Sequence, residues 1–211
     1  AEQLPLGVGT RDLAAIGRRA MGAAVVINLN GGLGTSMGMG RAKSLLEVKR
    51  GASFLDIIAQ QTLHQREQFG VRLPLLLMNS FRTREDSLAA LARYPTLQVK
   101  GLPLDFLQHR VPKVLEADLS PAVWPEDEHT WCPPGHGDLY TALLTSGMLQ
   151  RLRGAGFRWV FVSNADNLGA TLDPLILGHM VSNALPFVME VADRTEADRK
   201  GGHLARGVNG G

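Results

Sequence analysis

The sequence predicts an α/β protein, a three-layer Rossmann-like fold around a mostly parallel central sheet. Three observations favour this fold class. Short apolar runs alternate with segments of helical periodicity. The apolar runs are continuous, which is typical of strands buried on both faces of a parallel sheet. Polar clusters follow several of the runs, at the strand ends where ligands bind in such sheets.

The elements follow in chain order within one domain of ordinary size, since the chain has 211 residues. Residues 1–22 are predicted to form a helical lead-in, and residues 23–211 form the core. The predicted strands cover residues 23–29, 75–78, 97–100, 159–162 and 187–191. The predicted helices run from 54 to a stop at Gly70, from an N-cap at Thr83 to 94, from Asp138 or Thr141 to 151, and from 175 to 181.

The segment between residues 101 and 134 is punctuated by prolines and lacks regular periodicity. A long irregular segment inside a compact domain is usually a functional loop or an excursion from the core. We therefore expect this segment to contribute to a site rather than to the sheet.

Composition disfavours several classes of partner. The formal charge is +2 and the basic residues are scattered, which disfavours nucleic acid as the main partner. No apolar run approaches the ~18 residues that span a bilayer, so no membrane partner is expected. The first residues show no secretory h-region and Cys132 is the only cysteine, so we expect a cytoplasmic protein.

The loop after the first predicted strand carries a glycine cluster that includes Gly31, Gly32 and Gly34. Glycines let main-chain N–H groups approach a ligand closely, and such N–H groups commonly hold phosphate. Lys43 follows at a distance that reaches the same anion. The loop fits neither the P-loop nor the G-x-G-x-x-G pattern. A mobile turn remains the alternative reading.

Polar residues after the fourth predicted strand indicate a second part of the site. Asp166 there is either a magnesium ligand, which would act together with substrate phosphates, or a turn aspartate. Asn164 and Asn167 either bind ligand hydroxyls or satisfy the turn.

Two further side chains, those of His136 and Lys200, have both a functional and a structural reading. His136 lies between glycines near a helix start, where an imidazole either donates to phosphate or makes a structural hydrogen bond. Lys200 precedes Gly201 and is either a second phosphate-binding cation or a solvated loop lysine. Nothing marks Cys132 as an activated thiol. An anion-binding loop, two cations and a metal carboxylate together suit phosphoryl or nucleotidyl transfer.

Six motifs in order resemble the eukaryotic-type UTP–glucose-1-phosphate uridylyltransferases, also called UDP-glucose pyrophosphorylases. The resemblance extends from about residue 23 to about residue 204. The motifs are LNGGLGTSMGMGRAKS from Leu29, MNSF from Met78, FLQ from Phe106, PPGHGD from Pro133, SNADNLGAT from Ser163 and KGG from Lys200.

The resemblance implies a GT-A-like nucleotidyltransferase core that makes UDP-glucose and pyrophosphate from UTP and glucose 1-phosphate with Mg²⁺. The sugar-phosphate oxygen would attack the α-phosphorus of UTP in line. The site residues that the resemblance implies fall into four groups: Lys43, His136 and Lys200 at the phosphates or sugar phosphate; Gly31, Gly32, Leu33, Gly34, Met78, Gln108 and Gly135 at the nucleotide; Asn164 and Gly201 at the sugar; and Asp166 at the metal.

Two departures from the family pattern leave alternatives open. Family members are roughly twice as long and continue into a C-terminal part that this sequence does not show. His203 stands where relatives often have threonine. The alternatives are a UDP-sugar pyrophosphorylase for another hexose 1-phosphate and a non-catalytic nucleotide-binding fragment, and the oligomeric state is undetermined.

Overall fold

A computed structural model describes residues 9–33 and 40–191, and these residues confirm the predicted α/β class. Four parallel strands form the central sheet in the order β5-β4-β1-β8. The α-helices are α1 (Gly9–Ala20), α2 (Phe54–Phe69), α3 (Arg84–Leu91), α4 (Asp127–Thr130), α5 (Leu139–Thr145), α6 (Met148–Gly154) and α7 (Pro174–Ser182). The strands are β1 (Ala24–Asn30), β2 (Glu47–Lys49), β3 (Ala52–Ser53), β4 (Leu75–Asn79), β5 (Asp105–Leu107), β6 (Val111–Pro112), β7 (Trp131–Cys132) and β8 (Trp159–Asn164).

The sheet separates two apolar cores, which gives the three layers that the sequence predicts. On one face, alternate residues of β1 and β4 pack against α2, α3 and α7. On the other face, the remaining residues of these strands pack against α5 and α6. Both faces of β1 are buried, as expected for a central parallel strand.

Helix α2 begins and ends at residues that the sequence marks as helix caps. Ser53 and Asp56 form a capping box at its start, and Gly70 ends it in the left-handed conformation with φ 62°. The predicted stop at Gly70 is therefore confirmed. These caps fix the helix that covers one face of the sheet.

Helices α1 and α7 cross at two glycines. A Cβ atom on Gly17 would lie 1.7 Å from the carbonyl oxygen of Pro174, and one on Gly178 would lie 1.8 Å from that of Leu13. Only glycine permits main chains to approach this closely. The lead-in helix is thus packed on the core, and Met21 at its end is fully buried.

Two predicted strands are wrong. Residues 97–100 do not form a strand, because Leu97 is buried from within a 3₁₀ turn, Pro95–Leu97, and the parallel strand at this position is β5. Residues 187–191 form no regular element, and their large apolar side chains are at least partly exposed, from 36% for Val188 to 59% for Phe187.

The helix predicted to run to residue 151 is interrupted. It divides into α5 and α6 at Gly147, which adopts φ 73°. Thr83 does occupy the N-cap position of α3, but its hydroxyl does not cap the helix. That hydroxyl instead donates to the carbonyl oxygen of Asn30 at 2.6 Å. The excursion between 101 and 134 is largely irregular, as predicted, apart from β5, the small pair β6–β7 and α4.

Strand β8 lies at one end of the sheet that the described residues form. Val25 and Ile27 of β1 are fully buried, whereas their neighbours Val160 and Val162 on β8 are 45% and 38% exposed. Helices α5 and α6 therefore cover β1 but leave the same face of β8 open. Within the described ranges, no helix is both long and apolar enough to cross a membrane.

Candidate active site

The loops that follow β1 and β8 meet through Lys43. Its main-chain N–H donates to the carbonyl oxygen of Gly32 at 3.1 Å, and its Nζ donates to Asp166 Oδ2 at 2.6 Å. Asp166 is held at the strand end because the preceding residue, Ala165, donates its N–H to the carbonyl oxygen of Leu29 at 3.2 Å. Gly32 and the candidate metal ligand therefore lie at the same end of the sheet, with Lys43 in contact with both.

The ion pair is only partly shielded from water. The side chains of Lys43 and Asp166 are 41% and 34% exposed. Pairs this open contribute about 0–1 kcal/mol to stability. The pair is thus weak as a structural contact, and both charges remain accessible to a ligand.

A cavity of about 190 Å³ opens beside the glycine loop. Gly31, Gly32 and Leu33 form one wall of it. The other lining residues come from the chain after β4, from the β6 segment and from β7, and they are Arg82, Lys113, Trp131, Cys132 and Pro133. Sequence reasoning missed the two basic residues, although each lies close to a segment that it had singled out.

Gln108 packs directly on the main chain of Gly31. A Cβ atom at position 31 would lie 1.7 Å from Gln108 Nε2, so the glycine is needed for this approach. The Gln108 side chain is buried, and its Oε1 has no hydrogen-bond partner among the described residues. A buried amide oxygen without a partner costs free energy unless a ligand or water satisfies it.

A buried polar network links the carboxyl ends of two neighbouring strands to the first residue of a third. Asn30 Nδ2 donates to Asn79 Oδ1 at 2.7 Å, and Asn79 Nδ2 donates to Asp105 Oδ2 at 3.2 Å. Arg84 Nε completes the chain by donating to the same Asp105 oxygen at 2.8 Å. The network joins the last residues of β1 and β4 to the first residue of β5 and so sets the starting points of the loops that follow β1 and β4.

The PPGHGD motif forms a tight turn at the start of α5. Gly135 adopts φ 110° there, a backbone conformation that residues other than glycine strongly disfavour. The following 3₁₀ turn, His136–Asp138, leaves His136 exposed. An exposed imidazole at this place remains available to a ligand.

The other predicted site residues are distributed unevenly. Met78 is fully buried in the core beside α5 and α6, which accounts for it as a packing residue, and its contact with a base stays a prediction. Asn164 is exposed at the end of β8. Gly34, Lys200 and Gly201 lie outside the described residues.

The fold and the site define an α/β protein whose parallel sheet places a glycine loop, a lysine and a carboxylate at the ends of its strands. The chain belongs to the UTP–glucose-1-phosphate uridylyltransferase family, whose model matches residues 9–210. This confirms the resemblance that the six motifs predict.

Curated relatives and solved structures agree with this assignment. The chain is 42% identical over 182 residues to UTP–glucose-1-phosphate uridylyltransferase from Solanum tuberosum. The aligned residues cover 85% of this chain and 38% of the relative. The chain is 44% identical over 181 residues to the enzyme from Saccharomyces cerevisiae, with 85% and 36% covered. The chain therefore spans little more than a third of these relatives' length.

A crystal structure of a mutant UDP-glucose pyrophosphorylase from Leishmania major in complex with UDP-glucose matches with a TM-score of 0.81 and 49% identity, covering 89% of this chain and 40% of that one. A UDP-glucose phosphorylase structure from Trypanosoma brucei gives 0.81 and 47%, covering 88% and 41%. The described fold therefore matches about two-fifths of each of these chains.

Proposed function

We propose that this chain is the nucleotide-binding and catalytic core of a uridylyltransferase that makes UDP-glucose and pyrophosphate from UTP and glucose 1-phosphate. One observation carries the proposal. Lys43 joins the glycine loop, through Gly32, to Asp166 across the ends of β1 and β8. An anion-binding loop, a cation and a carboxylate in contact are what a nucleoside triphosphate with its metal requires.

The donor set fits Mg²⁺ that arrives with substrate phosphates. Mg²⁺ keeps several waters and is usually held by one or two carboxylates plus phosphate oxygens. Asp166 supplies one partly exposed carboxylate. The described residues contain no group of three or more His, Cys, Asp or Glu side chains that would hold a metal alone. When bound, the metal would neutralise charge on the phosphates.

The chain's own residues would orient the reactants for in-line attack of the sugar-phosphate oxygen on the α-phosphorus of UTP. Lys43 would neutralise phosphate charge, Gln108 and Gly135 would hold the uracil ring, and Asn164 would bind a sugar hydroxyl. His136, Lys200 and Gly201 would act on the phosphate and sugar-phosphate side. Catalysis by such a site is chiefly positioning and charge stabilisation.

The test is an assay of product formation by the natural-length protein. UTP, glucose 1-phosphate and Mg²⁺ should give UDP-glucose and pyrophosphate in equal amounts. Asp166→Ala and Lys43→Ala should each lower turnover about 100-fold or more, as removal of a charge-stabilising group does elsewhere. Full rates in both variants would contradict the assigned roles.

Two comparisons separate the alternative functions. Galactose 1-phosphate and N-acetylhexosamine 1-phosphates in the same assay would rank the sugar preference, because hydroxyl contacts discriminate between such substrates. Calorimetry with UTP alone would identify a binding module, which takes up the nucleotide without turnover. The absence of both binding and turnover would reject the proposal.

A further inference from the structure

Asp138 joins two segments that flank the predicted base site. One of its carboxylate oxygens, Oδ2, accepts the main-chain N–H of His109 at 2.6 Å. The other, Oδ1, lies 2.9 Å from Nδ1 of the same histidine. His109 directly follows Gln108, and Asp138 ends the turn that begins at Gly135. One carboxylate thus ties the Gln108 segment to the Gly135 turn.

The chemistry of the contact defines which ring nitrogen of His109 carries the hydrogen. A carboxylate only accepts hydrogen bonds, so Nδ1 of His109 carries a hydrogen directed at Asp138. The Asp138 side chain is only 10% exposed, and among the described residues its hydrogen-bond contacts are to two donors of His109, the main-chain N–H and Nδ1. A shielded carboxylate with two donors from one residue makes a charge-assisted contact, which is stronger than a bond between neutral groups.

Thr145 contacts the other side of the His109 ring. Its Oγ1 lies 3.0 Å from His109 Nε2. The order Asp138, His109, Thr145 is also that of an acid–base–nucleophile triad. However, the Thr145 hydroxyl also lies 2.9 Å from the carbonyl oxygen of Thr141 within its own helix. A neutral ring with its hydrogen on Nδ1 leaves Nε2 as an acceptor, so the single Thr145 hydroxyl hydrogen serves either the Thr141 carbonyl oxygen or Nε2. In both cases the hydroxyl lies against the ring and helps to hold it in place.

The strand before this contact supplies little support of its own. β5 has three residues and lies at the end of the sheet, paired only with β4 among the described strands. After the strand, the main-chain N–H of Gln108 makes one bond to the sheet, to the carbonyl oxygen of Asn79 at 2.9 Å. A short terminal strand positions a following side chain poorly unless another contact holds it.

We propose that Asp138 and His109 are positioning residues that hold Gln108 and Gly135 at the separation that accepts a uracil ring. The inference rests on the proposed function, in which these two residues contact the base. The buried Oε1 of Gln108, which lacks a partner among the described residues, is the acceptor being placed. Asp138 and His109 touch no reacting atom in this scheme, so they act on nucleotide affinity and base selection.

The experiment measures UTP and CTP binding and steady-state kinetics in the natural-length protein. Asp138→Ala should raise the Kd and KM for UTP about 10- to 100-fold, the loss expected for bonds to a charged group, while kcat changes by less than about threefold. The preference for UTP over CTP should fall with it. His109→Phe keeps the ring volume and the main-chain bond, so its effect should be smaller.

Amide hydrogen exchange gives a readout that does not depend on turnover. The His109 N–H should exchange faster in Asp138→Ala, whereas Asp138→Asn, which keeps an accepting oxygen, should restore part of the protection and of the UTP affinity. Glu116→Ala, which removes an exposed carboxylate from the same excursion, is the matched control and should leave affinity and exchange unchanged.

The outcomes separate the two claims. A wild-type protein that neither binds UTP nor makes UDP-glucose defeats both the proposed function and this inference. An active wild type whose Asp138 variants fold and keep the KM and the UTP preference defeats the inference alone. A fall in kcat at unchanged KM also defeats it. If Asp138→Ala does not fold, Asp138→Asn and His109→Phe decide by the same criteria.

Discussion

Lys43 Nζ lies 2.6 Å from Asp166 Oδ2, although 123 residues separate the two along the chain. Both side chains are more than one-third exposed, so the pair stabilises the fold by about 1 kcal/mol at most. Asp166 lies two residues after β8, and Lys43 is bonded to Gly32, which lies two residues after β1. The ion pair is therefore explained better by what the two charges do for a ligand than by stability.

Removing either charge should separate activity from stability. Lys43→Ala and Asp166→Ala are expected to change the free energy of unfolding by less than about 1 kcal/mol while turnover falls steeply. Urea unfolding and the pyrophosphate assay measure the two effects. Lys49→Ala, at an exposed lysine of β2, is the matched control and should change neither. A loss of several kcal/mol in either site variant would show that the pair is structural.

Gly31→Ala should weaken nucleotide binding without unfolding the protein. The new Cβ atom would meet the Gln108 amide at 1.7 Å, and the far end of a flexible side chain moves away at small cost. The displaced amide then loses its contact with the base, which should lower UTP affinity about 10-fold, the equivalent of one hydrogen bond. Calorimetry measures this change.

Gly22→Ala is the control for that substitution, because a Cβ atom there meets nothing within 4 Å. It should leave UTP affinity unchanged. An unaltered affinity in Gly31→Ala as well would remove Gln108 from the base site.

Gly17→Ala should destabilise the fold. A Cβ atom there overlaps the main-chain oxygen of Pro174 at 1.7 Å, and main-chain atoms of a packed helix cannot move aside as a side chain can. Overpacking of this kind costs about 1–3 kcal/mol or more. Denaturant unfolding should show a lower midpoint. Gly154→Ala, at a helical glycine with open space around it, should be neutral or stabilising by up to about 1 kcal/mol.

Acid should weaken the start of α2 through Asp56. Burial alone raises the pKa of this carboxyl, but hydrogen bonds from the side chain and main chain of Ser53 and from Tyr94, together with the charge of Arg93, outweigh it and hold the pKa below its usual value of 3.8. A depressed pKa in the folded state contributes stability that is present above the unfolded pKa of about 3.9. That contribution is lost as the pH falls through the folded value.

Asp56→Asn tests this dependence. The wild type should exceed the variant in free energy of unfolding at pH 7, and the difference should shrink as the pH falls below about 4. Urea titrations at several pH values give the comparison. A difference that stays constant down to pH 2 would mean that the ionised carboxylate contributes nothing specific.

The sequence allowed the central strands to be predicted because β1, β4 and β8 are marked by apolar runs that end in polar clusters. β5 carries no such mark: it is three residues long, and its Asp105 is buried in an ion pair with Arg84. Leu97 was assigned to a strand because burial looks the same whether a residue lies in a strand or in a 3₁₀ turn. Local patterns report burial better than they report backbone geometry.

The individual site residues could be named, but their contacts could not. The motifs indicated Lys43 and Asp166 separately, and only the parallel order of β1 and β8 brings them together. His109 drew no attention because an exposed histidine beside a motif has no distinguishing pattern. Its partner Asp138 is the last residue of the PPGHGD motif, so the sequence marked this aspartate. The motif did not indicate that Asp138 contacts His109.

The open face of β8 bears on how the polypeptide behaves at high concentration. Val160 and Val162 are alternate residues on the open face of β8 and are 45% and 38% exposed. Because β8 is also the end strand among the described residues, a second molecule can pack on these valines and pair with the edge of the strand. Self-association should therefore increase with protein concentration, and a lysine in place of Val162 should suppress it.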